Sequence, residues 1–267
     1  MNAFLNIQTG IRNNKTFLKK GYYTTPFKIA NITENKNEEC LKLMLMTSSP
    51  GILDGDEYKI KIELEEGCSL QLQTQSYQRL FNMKKGASQN MEVFMSKNSS
   101  FCYLPHPSVP HTGSNFIATN KIFMFEGYKL IWGEVLTCGR KLSGEEFQFT
   151  RYQSLTEIFL NEKLVVKENF LMSPSTINVH AIGQLEGYSH QASLIYIDTT
   201  TNVNEVISTI NAHLLEQKHI CIGVSALPVN GIIVRLLGYK AEQLYNCLQK
   251  IADLLYSCTT PLRCGTT

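Results

Sequence analysis

The stretch LTCGRKLSGEEFQF, between two strand-like segments, concentrates the residue types most able to do chemistry. Gly139 and Gly144 permit sharp bends of the backbone, and Arg140 lies between them. The guanidinium of Arg140 can form a two-point hydrogen-bonded pair with the carboxylate of Glu145 or Glu146. Charged groups in a β region are costly unless they pair, so this cluster predicts either an ion pair or a functional site.

Two interpretations of this cluster stay open. In the first, the ion pair is structural and holds adjacent strands together. In the second, one of the two glutamates and Glu134 line a polar interior route or a partner surface. The residues themselves do not separate the two.

Two histidines in the loop LPHPSVPHTG form a second candidate site. His106 and His111 are flanked by Pro105, Pro107 and Pro110, which stiffen the loop because they fix φ and lack an amide donor. If the imidazole rings approach each other across the turn, they could bind nickel or zinc. A surface or partner-facing loop that binds no metal is the favoured interpretation, because no third ligand is evident nearby.

The turn SSPGILDGDEY is a third candidate. Asp54 and Asp56 could offer oxygen ligands to a cation, or they could accept backbone hydrogen bonds in a turn where Gly55 has a positive φ. The turn is the favoured interpretation. An EF-hand loop is excluded because the further oxygen ligands and the terminal glutamate are missing.

Catalytic and nucleotide-binding motifs are absent from the sequence. It has no G-x-S-x-G elbow, no P-loop and no G-x-G-x-x-G before a helix, and Leu185 stands where GQLEG would need a serine. The common hydrolase and nucleotide-binding classes are therefore not expected.

Composition limits the remaining functions. The 267 residues, of which 43% are hydrophobic, can build a substantial core. A net charge of +2, with no Lys/Arg block longer than a pair, argues against a nucleic-acid surface. The N-terminus lacks the apolar segment of a signal peptide, and no apolar run is long enough for a membrane span, so a cytoplasmic protein is expected.

Eight cysteines are scattered along the chain and predict no disulfide framework. Most are expected to be reduced and buried. Cys258 and Cys264 are the closest pair, but they lack His or Cys partners at zinc-site spacing.

The elements that must position these residues are mostly β-strands. Alternation of apolar and polar residues at 58–64 and 70–75 predicts an antiparallel hairpin with one buried face. Further strands are predicted at 41–46, 91–95, 101–104, 121–125, 128–135, 145–151, 164–171, 193–198 and 221–226. Because short turns rather than helices separate these strands, the pattern favours a mainly β body of stacked sheets.

Two segments near the C-terminus follow a helical period instead. Asn202 and Glu205 form a capping-box pattern that predicts the start of one helix, and a second helix is predicted at 240–257. Between them, 219–226 and 231–237 predict a hairpin.

The predicted domain organisation is simple because no low-complexity linker interrupts the chain. We expect a single domain over residues 1–267. Within it, residues 1–200 form the β body and residues 201–267 form a packed α+β portion.

Four blocks, in the same order, resemble the urease accessory protein family of the UreD type, called UreH in some bacteria. They begin with SSPGILDGDEY and its following strands, and continue with FCYLPHPSVPHTGSNF, GEVLTCGRKLSGEEFQF and EKLVVKENFLMSP. The residues that match the family motifs are Gly51, Gly55, Asp56, Gly67, Thr74, Gln75, Leu104, Pro105, Pro107, Pro110, Glu134, Gly139, Arg140, Gly144, Glu145 and Phe147. The sequence departs from the family pattern at Tyr77, at Gln78 and in the KEN stretch at 167–169.

The resemblance implies a mainly β fold of β-helix-like stacked sheets, with a small C-terminal α+β portion of about two helices. It implies a urease maturation factor without catalysis of its own or a tightly bound cofactor, through whose interior nickel passes in transit. The implied partners are a UreF-type accessory protein, a UreG-type GTPase recruited through it, and apo-urease. On this view the nickel route is expected to use His106, His111, Glu134, Glu145 and Glu146.

Two other functions are kept as alternatives. A β-barrel metalloenzyme using His106 and His111 predicts stoichiometric metal in the isolated protein. A metal-free structural adaptor predicts that every interior carboxylate can be replaced without effect on nickel loading.

Overall fold

The computed structural model of the chain describes residues 1–35, 37–214 and 219–257, so Cys258 and Cys264 lie outside the described residues. A 3₁₀ turn covers Lys141–Ser143. The strands and helices are, in chain order, β1 (Asn2–Arg12), β2 (Lys15–Tyr23), β3 (Phe27–Asn31), β4 (Leu41–Thr47), β5 (Glu57–Leu64), β6 (Ser69–Thr74), β7 (Gln78–Leu80), β8 (Ala87–Met95), β9 (Ser100–Leu104), β10 (Ser108–Pro110), β11 (Asn115–Met124), β12 (Lys129–Leu136), β13 (Arg151–Leu160), β14 (Lys163–Met172), β15 (His190–Asp198), α1 (Val203–Leu214), β16 (Cys221–Ala226), β17 (Gly231–Gly238) and α2 (Ala241–Ser257).

The strands form two sheets. The seven-stranded sheet has the order β14-β13-β11-β8-β5-β1-β2, and the ten-stranded sheet has the order β16-β17-β15-β12-β9-β6-β4-β3, with β7 and β10 beside it. Neighbouring strands in the middle of both sheets run parallel, as from β1 through β5 and β8 to β13, and from β4 through β6 and β9 to β12. The predicted mainly β fold of stacked sheets is confirmed.

The main core lies between the two sheets, because alternate residues of each strand point inward. In β5, Tyr58, Ile60 and Ile62 are buried, whereas Lys59 and Lys61 point outward. The same alternation in several parallel strands stacks apolar rows on both inner faces, which makes one continuous apolar cluster.

The predicted antiparallel hairpin at 58–64 and 70–75 is wrong. Strand β5 pairs in parallel with β1 and β8, whereas β6 pairs in parallel with β4 and β9 in the other sheet. The turn between them, where Gly67 has a φ of 72°, carries the chain across the core. Each strand thereby gains hydrogen-bonding neighbours on both sides. The alternation of side chains would be the same in a hairpin and in two separate sheets, so it does not distinguish them.

The predicted strand at 145–151 is also wrong. The alternating letters of EEFQF suggest a strand, but Gly144 and Phe147 have φ values of 76° and 54°, which are incompatible with extended backbone. The segment folds as a loop instead, closed by a hydrogen bond of 2.7 Å from the Phe147 amide to the Cys138 carbonyl. The strand begins only at Arg151. Strands β1, β2 and β3, for which the sequence analysis made no prediction, complete the N-terminal side.

The C-terminal elements extend the ten-stranded sheet and cover its outer face. Strands β15, β17 and β16 pair antiparallel at one end of that sheet, which confirms the predicted hairpin. Both predicted helices are confirmed. The Asn202 side chain accepts a hydrogen bond of 3.4 Å from the Glu205 amide, and Val206 and Ile210 are buried in a second apolar cluster with α2.

No helix in the described ranges has the length and hydrophobicity that a membrane span requires. The six described cysteines are all free, and four of them are buried.

Candidate functional site

A layer of polar side chains crosses the otherwise apolar core between the two sheets. Strand register places Glu134, Ser193 and Arg235 in one row of the ten-stranded sheet, and Asn120, Thr156 and Glu168 in one row of the seven-stranded sheet. The adjacent row of the ten-stranded sheet is Trp132, Ile195 and Ile233, and that of the seven-stranded sheet is Ile122, Ile158 and Val166. We call the two polar rows the polar layer.

Glu134 is the centre of the polar layer. Its Oε1 accepts hydrogen bonds from the Trp132 indole at 3.1 Å and the Ser154 hydroxyl at 2.9 Å. Longer bonds of 3.4 Å come from the side chains of Asn120 and Thr156 on the facing sheet. None of these four bonds goes to Oε2. One carboxylate therefore joins the two sheets and keeps a second oxygen for another ligand.

Opposing effects act on the pKa of the Glu134 carboxyl. Burial raises the pKa of its carboxyl above the ordinary value, and the negative charge of Glu168 acts in the same direction. The hydrogen bonds from Ser154, Trp132 and Thr156 lower the pKa but do not cancel the effect of burial. A cation in the layer would compensate the buried charge in place of a proton.

Adjoining cavities lie on two sides of Glu134. The first cavity is lined by Glu134, Thr156, Ser193 and Glu168, and so reaches the edge strand β14. The second cavity shares Trp132, Glu134, Tyr152 and Ser154 with the first and continues past Asn120, Gln78, Gln89 and Thr74 to His106. A third cavity shares Thr74, Gln78, Gln89 and Tyr103 with the second and reaches Ser49, Gly51 and Gln75. The second cavity has about 50 Å³ for the centres of water molecules, which is enough for a few of them.

His106 lies at the far side of the second cavity. Its amide donates to the Thr74 hydroxyl at 2.8 Å, and its Nδ1 lies 3.2 Å from the same oxygen. The ring stacks on Tyr245 with 4.7 Å between centroids, and Tyr77 lies on another side at 6.1 Å. Burial lowers the pKa of His106, so the imidazole is neutral at pH 7 and able to act as a metal ligand.

His111 has a separate environment. It is 7% exposed and packs edge-on against Phe81 at 4.8 Å. Burial is the first cause of its lowered pKa, and the charge of Arg140 is the second. The approach of the two histidine rings that a metal site would require does not form, because β10 is an extended strand between them and spans about 10 Å.

The loop at 136–149, which we call the surface loop, contains the predicted ion pair. Arg140 Nε donates to Glu145 Oε2 at 2.9 Å, and Arg140 Nη2 donates to Glu145 Oε1. The bond from Arg140 is the main reason that the pKa of Glu145 falls to about 2. Glu146 pairs instead with Lys141 at 3.5 Å, and both side chains are exposed. Of the three predicted glutamates, only Glu134 lines the interior cavities described above.

Most of the other motif residues stabilise turns or permit close backbone contacts. Asp56 accepts a hydrogen bond from the Leu53 amide at 2.9 Å, and Asp54 accepts one from the Lys85 amide at 2.7 Å, as the turn interpretation predicts. A side chain at Gly51 would meet the Arg79 carbonyl oxygen, and one at Gly139 would meet that of Glu145. Positive φ values occur at Gly55, Gly139, Gly144 and Phe147. Pro105 lines the second cavity, and Pro110 is the last residue of β10. The Pro107 carbonyl accepts a hydrogen bond from the Gln78 amide, and the Gln75 amide donates one to the Leu45 carbonyl.

Glu168 and Arg235 are polar-layer residues that the sequence analysis missed. Arg235 Nη2 donates to Glu168 Oε2 at 2.7 Å, so this pair bridges the two sheets where the polar layer meets the edge strand. A signal was present in the alternation of β14, where Glu168 has the inward parity of Val166 and Phe170. A charged residue at an inward strand position needs a partner across the core.

The polar layer and the adjoining cavities contain side-chain donors of the kinds that coordinate divalent cations. Carboxylate, hydroxyl and amide oxygens line the route, with a neutral imidazole at one end. Across the described residues, no three His, Cys, Asp or Glu side chains gather as a closed metal site would require. Scattered ligands of this kind suit weak and transient binding of a divalent ion.

Comparison with known proteins agrees with the resemblance. Residues 1–263 match the family model described as UreD urease accessory protein. A urease accessory protein UreD of Flavobacterium johnsoniae is 48% identical over 94% of this chain and 91% of its own length. The corresponding proteins of Haemophilus influenzae and Acetivibrio thermocellus are 35% and 33% identical, over 96% and 94% of this chain and 100% and 96% of their own lengths.

Proposed function

The chain belongs to the UreD family of urease accessory proteins, and from this premise we propose that it delivers nickel to apo-urease through its polar layer. In this role it is a maturation factor without catalysis of its own, and nickel is its cargo rather than a resident cofactor. The proposed place of action is the cytoplasm, as the sequence analysis expects.

The position of Glu134 between two adjoining cavities is the observation that carries this proposal. An apolar core gains stability from every apolar side chain it buries, so an unneeded buried carboxylate is unfavourable. Here Glu134 lies between the sheets with adjoining cavities on two sides. A route for a hydrated divalent ion needs ligands that are spaced along it and bind weakly, and Glu168, Glu134 and His106 are spaced in this way.

The proposal includes a scaffold role. The partners are a UreF-type accessory protein, a UreG-type GTPase recruited through it, and apo-urease, with no part for nucleic acid. Exposed apolar side chains such as Leu142 in the surface loop and Ile182 in the loop after β14 support contact with other proteins.

Replacement of Glu134 tests the delivery role. Glu134→Gln keeps the shape of the side chain and an acceptor oxygen but removes the charge that would hold a cation. We expect nickel loading and urease activation by the reconstituted accessory complex to fall by about tenfold or more. Glu157→Gln is the matched control, because Glu157 pairs with Lys167 at 3.0 Å on the outer face of the sheet.

A pull-down with apo-urease and the UreF-type partner shows whether each variant still assembles. Assembly with lost nickel loading supports the delivery role. Full nickel loading by Glu134→Gln would instead favour the metal-free adaptor, and failure of the folded wild-type protein to retain any partner would remove the scaffold role.

A further inference from the structure

We infer that Arg235 is a gate for cations at the edge end of the polar layer, where it holds Glu168 in an ion pair until a cation enters. This inference rests on the proposed function. It assigns to one arginine the control of access to Glu134.

Strand register places the gate in line with the route. Arg235 and Glu134 belong to the same row of the ten-stranded sheet, separated only by Ser193, so their backbones are about 10 Å apart. Glu168 faces Arg235 from β14, the edge of the seven-stranded sheet. Glu168 therefore belongs both to the ion pair and to the lining of the first cavity, which it shares with Ser193 and Glu134.

The charges make this position an electrostatic barrier. An arginine at a pore mouth repels cations, and here it also occupies the carboxylate that would attract them. Arg235 is 52% exposed and Glu168 is 24% exposed, so the pair is partly screened and can open without unfolding the core. A fully buried pair in the same place would be a fixed part of the core rather than a gate.

The only tryptophan of the chain reports on the far side of this gate. Trp132 is 3% exposed, and its indole nitrogen lies 3.1 Å from Glu134 Oε1. A nickel ion that reaches Glu134 would quench the indole fluorescence at short range. This signal does not depend on urease, on GTP or on any partner.

The test is stopped-flow mixing of the purified full-length protein with Ni²⁺, with selective excitation of tryptophan. We expect Arg235→Gln to speed the quenching by about fivefold, because a partly exposed ion pair contributes that much to the barrier. Arg235→Lys keeps the positive charge and should stay within about twofold of the wild type. Arg235→Met keeps the apolar stem and serves as a second neutral variant if Arg235→Gln folds poorly.

The matched control is Lys167→Gln. Lys167 precedes Glu168 in the same strand but pairs with Glu157 on the opposite face, so this variant makes the same change in net charge away from the route. Glu134→Gln should abolish the fast quenching in either background. Circular dichroism and urea unfolding of each variant show that differences in quenching come from folded protein.

The outcomes separate the gate from the route. Faster quenching in Arg235→Gln but not in Lys167→Gln supports the gate. Equal rates in the wild type, Arg235→Gln and Lys167→Gln, with loss in Glu134→Gln, would overturn the gate and leave the proposed route intact. Absence of quenching in all folded variants would overturn both.

Discussion

The polar layer and the surface loop contain the same kinds of charged residue in opposite environments. In the surface loop, Arg140 and Glu145 form a two-point pair in contact with solvent, and the pair lowers the pKa of the carboxyl to about 2. In the polar layer, Glu134 is surrounded by neutral donors, and burial raises the pKa of its carboxyl. The loop carboxylate pairs with its own arginine, whereas the half-buried carboxylate of Glu134 accepts hydrogen bonds from uncharged donors.

Conspicuous charge in a sequence therefore does not identify which carboxylate lies in the interior without an arginine or lysine partner. A solvated ion pair contributes little free energy and is locally complete. The half-buried carboxylate of Glu134 is instead supported by hydrogen bonds from side chains of both sheets. The following predictions test this contrast, in order of decreasing effect.

The largest effect is expected from Glu134→Leu. The leucine leaves the donors of Trp132, Ser154 and Asn120 without their acceptor, so we expect the free energy of unfolding to fall by about 3 kcal/mol. Urea unfolding at neutral pH measures this loss. If Glu134→Leu were as stable as the wild type, the hydrogen bonds of the polar layer would not be supporting the fold.

The pH dependence of stability should have opposite signs in the two regions. The folded pKa of Glu134 is raised from 4.5, so its contribution to stability is complete below that pH and is lost as the pH rises through the folded pKa. The folded pKa of Glu145 is lowered from 4.5 to about 2, so its contribution is present above pH 4.5 and is lost as the pH falls. The free energy of unfolding, measured with urea from below pH 4.5 to neutral pH, is therefore compared with that of the wild type for each variant. The difference from the wild type should change with pH in opposite directions for Glu134→Gln and Glu145→Gln. Slopes of the same sign would contradict the assignment of the two environments.

A smaller contrast is expected between two threonines. Thr74→Val removes the acceptor of the His106 amide in the partly buried end of the route, and we expect a loss of about 1 kcal/mol in the free energy of unfolding. Thr112→Val removes an exposed hydrogen bond to Gln148 beside the surface loop and should change it by less than half as much. Denaturant titration of both variants measures the difference, and an equal loss would show that burial is not what distinguishes them.

The smallest effect on stability is expected from Arg140→Ala. Arg140 is 46% exposed and Glu145 is 17% exposed, so solvent screens the pair and its removal should lower the midpoint of urea unfolding only slightly at neutral pH. Urease activation by the same variant sharpens the comparison. A loss of activation with unchanged stability would show that the surface loop is a partner contact, whereas unchanged activation would leave its ion pair a structural feature only.

Several features of the fold follow from local sequence pattern. Alternation in β5, β12 and β14 predicts their strands, and the capping residues Asn202 and Glu205 predict the start of α1. These predictions hold because the fixed period of a strand or helix decides which nearby residues share a face. An ion pair of Arg140 with Glu145 or Glu146 could be predicted because these residues are close in the chain, and the structure selects Glu145.

The tertiary structure decided which strands are neighbours and which charged residues meet. Alternation at 58–64 and 70–75 is equally compatible with a hairpin and with two strands facing each other across a core, and only the parallel pairing with other strands selects the second. Glu134, Glu168 and Arg235 are far apart in the chain and come together through register in two sheets. The sequence by itself therefore determined most of the strands, both helices and an ion pair of Arg140 with Glu145 or Glu146, because those depend on local periods and short separations. The polar layer could be recognised only once the pairing of all the strands was known. A row across a sheet consists of residues from strands that are far apart in the sequence, so no local pattern links them.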